Sequence, residues 1–255
     1  MKKWILIPCG LGAVVAGAAA ALLVSINPIV EAGVNKFGPE ITGTHVFLKE
    51  ADISVFSGEG KLNEFLIGNP KGYTAPHALK VGSMSVALDK STLPEDVIVI
   101  KKIAIDSPDV IYELSKKSNN FDDIIKNVEE LGAARDKAEA KQAASKDAEK
   151  PAKKVVIDEL VITNGKAAIR MPSLKLDFQA DLPEIRLKDI GREKGQNGVT
   201  MTEASKRVLK AVSSQLGSAS KQALKNARVS LTIGKEGLGK AAEDLGNKVK
   251  SLFGK

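Results

Sequence analysis

Uncharged residues run without a break from Trp4 to Val30, between Lys2 and Lys3 on one side and Glu31 on the other. Ala, Val, Leu and Ile dominate as far as Ile26. A helix needs about 20 apolar residues to cross a bilayer core and satisfies its own backbone groups there. Residues 1–30 are therefore expected to form a transmembrane anchor. The two lysines favour a cytoplasmic amino end. A single pass then places the chain from Glu31 onward on the far side of the membrane, which in a bacterial cell would be the periplasm. Ala18 to Ala21 would also suit a signal peptidase, but Leu22, Leu23 and Val24 carry the run beyond a usual signal core, which favours an uncleaved anchor.

Beyond the anchor the period changes to two. Val46 and Leu48, then Ile53 and Val55, then Met84, Val86 and Leu88 alternate with polar or small neighbours, as strands with one buried face require. Turn residues separate them at Ser57–Gly60, Gly68–Gly72 and Leu93–Asp96. Val97 to Ile100 is apolar on both faces and predicts a strand covered on both sides. The segment from Val97 to Pro108 is echoed by Lys154 to Gly165, each with an apolar run, two charges, an alternating apolar pair and a turn. The echo suggests a sheet that grows by repetition. Leu174, Leu176 and Phe178, then Ile185 and Leu187, predict further strands.

Helical spacing appears twice. Phe121, Ile124, Ile125 and Val128 predict a short helix. Residues from about 131 to 154 are mostly Ala, Lys, Glu, Asp and Gln and bury too little to offset ordering entropy, so a mobile linker is expected. The tail, residues 199–255, opens on Thr200 with Glu203, a capping-box pair, and continues with Val208, Val212 and Leu216 four residues apart. A second helix is expected to carry Leu238, Leu245, Val249 and Leu252 on one face, beside Lys240, Lys248 and Lys250. With 11 basic and 4 acidic residues, this tail fits a membrane surface, a partner, or the open side of the sheet itself.

Composition narrows the chemistry. The single cysteine, Cys9, sits in the predicted anchor, so no disulfide or thiolate metal site is available to the rest. His45 and His77 lack the spacing of a metal pair, and no Gly-x-Ser-x-Gly elbow or phosphate loop occurs. No catalytic residue, metal or cofactor is expected. The excess of 38 Lys and Arg over 31 Asp and Glu is small, and for an exported chain it favours anionic headgroups over nucleic acid.

The ordered series Ile41 to Val46, Phe56 to Gly60, Ile67 to Tyr73, Val81 to Asp89, Ile100 to Pro108 and Ile111 to Glu113, with Ser118 to Phe121, Val156 to Thr163 and Asp181 to Ile190, resembles the amino-terminal region of AsmA-like proteins of the bacterial envelope. The resemblance implies a mainly β fold with helices, in which residues 31–198 form a curved antiparallel β groove behind an inner-membrane anchor. It also implies phospholipid handling, in transport between membranes or outer-membrane maintenance. Acyl chains could complete an apolar sheet face left open by the chain, at about 0.8 kcal/mol per buried methylene. The candidate lining is Ile98, Ile100, Ile103, Ile105, Val156, Leu160, Ile162, Leu174 and Leu176. Which alternate set faces inward is left open, since a one-residue slip exchanges the faces. The rival expectation is an envelope scaffold that binds no lipid and recruits proteins, or copies of itself, through its sheet edge and helical tail.

Overall fold

A computed structural model describes residues 26–134, 137, 153–174, 176–193 and 197–234. The apolar run up to residue 25 and the stripe of Leu238, Leu245, Val249 and Leu252 lie outside them. No helix among the described residues is long and apolar enough to cross a membrane.

Helix α1 spans residues 26–42. The strands β1 (Val46–Ile53), β2 (Glu59–Ile67) and β3 (Leu79–Leu88) follow, then β4 (Val97–Asp106) and β5 (Asp109–Glu113). Helix α2 (Asn120–Asn127) runs into a wider turn over Val128–Gly132. The chain continues with β6 (Lys154–Thr163), β7 (Gly165–Met171), β8 (Leu176–Leu182), β9 (Ile185–Ile190) and the long helix α3 (Met201–Gly234). All nine strands belong to one sheet. β1, β2 and β3 lie antiparallel, and β3 is flanked on its other side by β4 and β5 placed end to end. β6 and β7 form the next layer and β9 and β8 the last.

The sheet is mixed, which corrects the expectation of an antiparallel one. β4 pairs with β6, and β5 with β7, in parallel. The two echoed segments are these neighbours: Val97 stands beside Lys154, Ile103 beside Leu160 and Asp106 beside Thr163. Parallel neighbours need a long crossover, and α2 with the segment after it provides one. Leu174 is a second correction, since it closes a short 3-10 turn, Pro172–Leu174, between β7 and β8. That turn reverses the chain so that β8 can pair antiparallel to β7.

One line of irregular residues crosses every layer. The registers align Lys49, Glu64, Gly82, Ser107, Asn164 and Pro183. Glu64, Ser107 and Asn164 take φ of 52°, 51° and 53°, a left-handed conformation that costs about 1–2 kcal/mol per residue. The buried set changes parity there: Val46 and Leu48 give way to Ala51 and Ile53, Val81 to Met84, Ile105 to Val110, and Ile162 to Ala167. Each strand thus spends one residue out of alternation to keep its apolar side chains on the core face while the sheet bends. A second line, Lys101, Asp158 and Asp189 (φ 56°), runs beside a bulge at Ala87 and Leu88. The paired charges of the echo mark this second bend.

The edge strand β1 is closed by α1. Asn27 Oδ1 accepts from Ile53 N–H at 2.9 Å and Glu31 Oε1 from Ala51 N–H at 2.8 Å. Asn35 engages both sides of one residue, accepting from Leu48 N–H at 2.7 Å and donating to Leu48 O at 2.9 Å. A polar stripe at four-residue spacing thereby satisfies backbone groups that an open edge would offer to another chain.

Candidate functional site: the apolar sheet face

The core lies on one face of the sheet. Phe121, Ile124 and Val128 of the α2 region and Ala204, Leu209, Val212 and Leu216 of α3 pack against Val110, Tyr112, Leu160, Ile162 and Ile169. Asn119 caps α2 by accepting from Asp122 N–H at 2.8 Å, and Thr200 caps α3 by accepting from Glu203 N–H at 3.2 Å. Glu203 turns to Arg207 and Lys206, at 2.8 and 2.5 Å. Of the readings open for the tail, α3 follows the one in which Val212 and Leu216 cover the sheet.

Register assigns the candidate residues to faces. Ile98, Ile100, Ile103 and Ile105 of β4 stand beside Val155, Ile157, Leu160 and Ile162 of β6 on the core face. Val156 pairs with Val99 and points the other way, so it does not share a surface with Ile98 and Ile100. Leu176 packs half-buried against the core from β8.

Coverage of this face is uneven. Near the far end of the strands, Val110, Tyr112, Ala167, Ile169 and Met171 are sealed. On β2 and β4, Leu62, Ile98, Ile100 and Ile103 are only partly buried, as is Leu187 on β9, while Met84 and Val86 of β3 are buried between them. From Ile98 to Ile103 the strip is about 17 Å long at ~3.3 Å per residue. That is close to the depth of one leaflet, half of a hydrocarbon core ~30 Å thick. The strip opens toward the end of the sheet where Ile53, Glu59, Leu88 and Val97 gather, which is also where α1 begins.

A cavity of about 340 Å³ lies elsewhere, between α2 and α3. Asp122, Lys126, Glu129, Lys210 and Ser213 line much of it, and Lys210–Glu129 and Ser213–Asp122 bonds of 2.7 and 2.8 Å cross the same seam. The Lys210 ammonium donates to Glu129 and holds that carboxyl below its usual range.

Pattern reasoning missed a buried polar knot. Asn120, fully buried, donates to Asn69 Oδ1 at 2.8 Å and to Ile111 O at 2.7 Å, and accepts from Glu113 N–H at 3.0 Å and Phe121 N–H at 3.1 Å. The Glu113 carboxylate accepts from Thr74 N–H, Thr74 Oγ1 and Ala75 N–H at 2.9, 3.1 and 2.6 Å. Beside it, burial and the bond to Asp123 push the Tyr73 hydroxyl up. Every donor is matched, so the knot pins the β2–β3 loop to α2. The signal was present in the turn Asn69–Gly72 and in Glu113 and Asn120, but polar residues in loops do not announce their partners.

On the opposite face the bend residues carry charge. Glu159 faces Lys102 at 3.6 Å and Arg186, and Asp158 faces Arg192 at 2.7 Å. The Arg186 guanidinium, then Lys102, holds the Glu159 carboxyl below its usual range. No three His, Cys, Asp or Glu side chains among the described residues gather as a metal site would require.

The family model of the AsmA family matches residues 60–238. No curated protein and no solved structure matches the chain.

Proposed function

Since the chain belongs to the AsmA family, whose members are associated with the cell envelope, we propose that it handles phospholipid there without catalysing a reaction. The partly buried strip of Ile98, Ile100 and Ile103 on the core face carries the reading. An acyl chain laid along it would complete a layer that α2 and α3 complete farther along the sheet. A dozen methylenes, each half buried at about 0.4 kcal/mol, contribute at most about 5 kcal/mol, which corresponds to a sub-millimolar complex. That strength suits passage of lipid rather than storage. In this reading residues 1–25 hold the protein in the inner membrane, the sheet stands in the periplasm, and transport or outer-membrane maintenance is served by loading from the leaflet beside it.

The test is photocrosslinking in living bacteria with the full chain. Benzoylphenylalanine at Ile100 should yield a phospholipid adduct detectable by mass spectrometry, whereas the same group at neighbouring Val99, on the other face, should not. If Ile98 and Ile100 both fail to capture lipid, the strip is core surface only and the scaffold alternative takes its place. Recruitment by strand addition would then have to use the β8–β9 side, because α1 occupies the edge of β1.

A further inference from the structure

The end of the sheet where α1 begins, at residue 26, has its own surface. Four features meet there: the first turn of α1, the β1–β2 turn over residues 54–58, the β3–β4 connection over residues 89–96, and the start of β6. Short bonds weld them together. Leu88 N–H donates to Gly58 O at 2.6 Å, Ile53 N–H to Asn27 Oδ1 at 2.9 Å, and Lys154 N–H to Asp96 O at 2.9 Å.

From this rigid end project the two most exposed large apolar side chains among the described residues, Phe56 at 73% and Ile29 at 64%. Exposed Pro28 and Pro94 accompany them. Backbone carbonyls around them are already claimed by ammonium groups. Lys90 Nζ donates to Phe56 O at 2.7 Å, and Lys153 Nζ donates to Leu93 O at 2.6 Å and Glu95 O at 2.8 Å. Apolar tips over lysine-capped carbonyls suit the zone where hydrocarbon gives way to headgroups, since unsatisfied backbone is what that zone penalises.

We propose that this end, tipped by Phe56 and Ile29, seats in the interface of the same bilayer that the apolar run of residues 4–25 enters. Continuity selects the occupant, because α1 carries Ile29 directly out of that run. The charges there nearly cancel, with Glu59, Asp89, Glu95 and Asp96 set against Lys90, Lys153 and Lys154. Seating is therefore apolar and indifferent to salt. It turns the open strip of the core face toward the leaflet, yet it holds whether or not that strip takes lipid.

The full chain, reconstituted in phosphatidylcholine vesicles, tests this with an environment-sensitive fluorophore on single cysteines. Phe56→Cys, Ile29→Cys and Lys71→Cys are each made with Cys9→Ala, and native Cys9 is labelled separately to report insertion of the apolar run. Lys71 marks the opposite end, about 33 Å away across the ten residues of β3. Labels at 56 and 29 should shift to the blue and be quenched by lipids bearing a shallow nitroxide, equally at about 0.1 M and about 1 M salt, where screening differs widely. The label at 71 should do neither. Quenching at 9 with position 56 behaving like position 71 overturns the proposal, as does absence of quenching at both. Quenching at 56 that vanishes in high salt overturns the apolar basis of the contact. All three labelled positions are solvent-facing in the fold, so loss of structure does not confuse the result.

Discussion

Asn35→Ala removes both hydrogen bonds that α1 makes to the peptide group of Leu48, at 2.7 and 2.9 Å. At a net 1 kcal/mol or so each, the pair contributes about 2 kcal/mol to holding α1 on β1. Alanine recovers about 0.5 kcal/mol through its better helix propensity. The net loss is therefore about 1.5 kcal/mol, or roughly a tenfold rise in the open population. Hydrogen exchange of the full chain in nanodiscs reads this directly at the amides of Leu48, Ala51 and Ile53, all of which donate to α1. Asn35→Asp keeps the acceptor and loses the donor, so it should fall between wild type and alanine. Lys36→Ala, on the exposed side of the helix, should leave exchange unchanged. If Asn35→Ala leaves the Leu48 amide within about twofold of wild type, the stripe is not what closes the edge.

Two further outcomes follow from the polar contacts. Asn120→Ala strips four bonds from a fully buried site and should lower unfolding free energy by about 3–5 kcal/mol; an unchanged denaturant midpoint would show that water or repacking replaces the knot. Asp106 is held below the usual carboxylate range by bonds from Asn164 first, then Ser107 and Thr163. A lowered folded pKa stabilises above the ordinary Asp value near 4 and loses that stabilisation as pH falls through the folded value. Wild type and Asp106→Asn should therefore differ in urea midpoint at pH 6 and converge toward pH 2; a constant gap would assign the effect to shape rather than charge.

Most strands, α2 and the cap of α3 were legible because each follows a period or a local motif, whereas β2 was not read and Val55, expected to continue a strand from Ile53, lies in the turn after β1. The echo was legible too, and its alignment of Val97 with Lys154 is the register found between β4 and β6. What it also implied, parallel pairing across a helical crossover, follows once the two copies are placed side by side. Face assignment was out of reach, because each bend shifts the alternation by one residue, so that Val156, which strict alternation groups with Leu160 and Ile162, lies on the face opposite them. α1 escaped notice for a different reason. Its contacts with β1 run through Asn27, Glu31 and Asn35, and side chains that bond to backbone leave no hydrophobic period to read. Of the candidate lining, Ile98, Ile100 and Ile103 keep partial exposure while Ile105, Leu160 and Ile162 are core, a division set by packing against α2 and α3 that no period encodes.

The constant offset of 57 positions between β4–β5 and β6–β7 gives this fold a natural unit of length. A duplicate of that unit inserted after β7 would present buried positions opposite buried positions and bends opposite bends. It would also offer β8 and β9 the same partner they have now. Extension in this way requires no new agreement between neighbours, so a gene can lengthen the scaffold by whole copies while α1 keeps the opposite border fixed. In such a scaffold reach is a matter of counting modules, and β4–β5 with β6–β7 form one such repeated step.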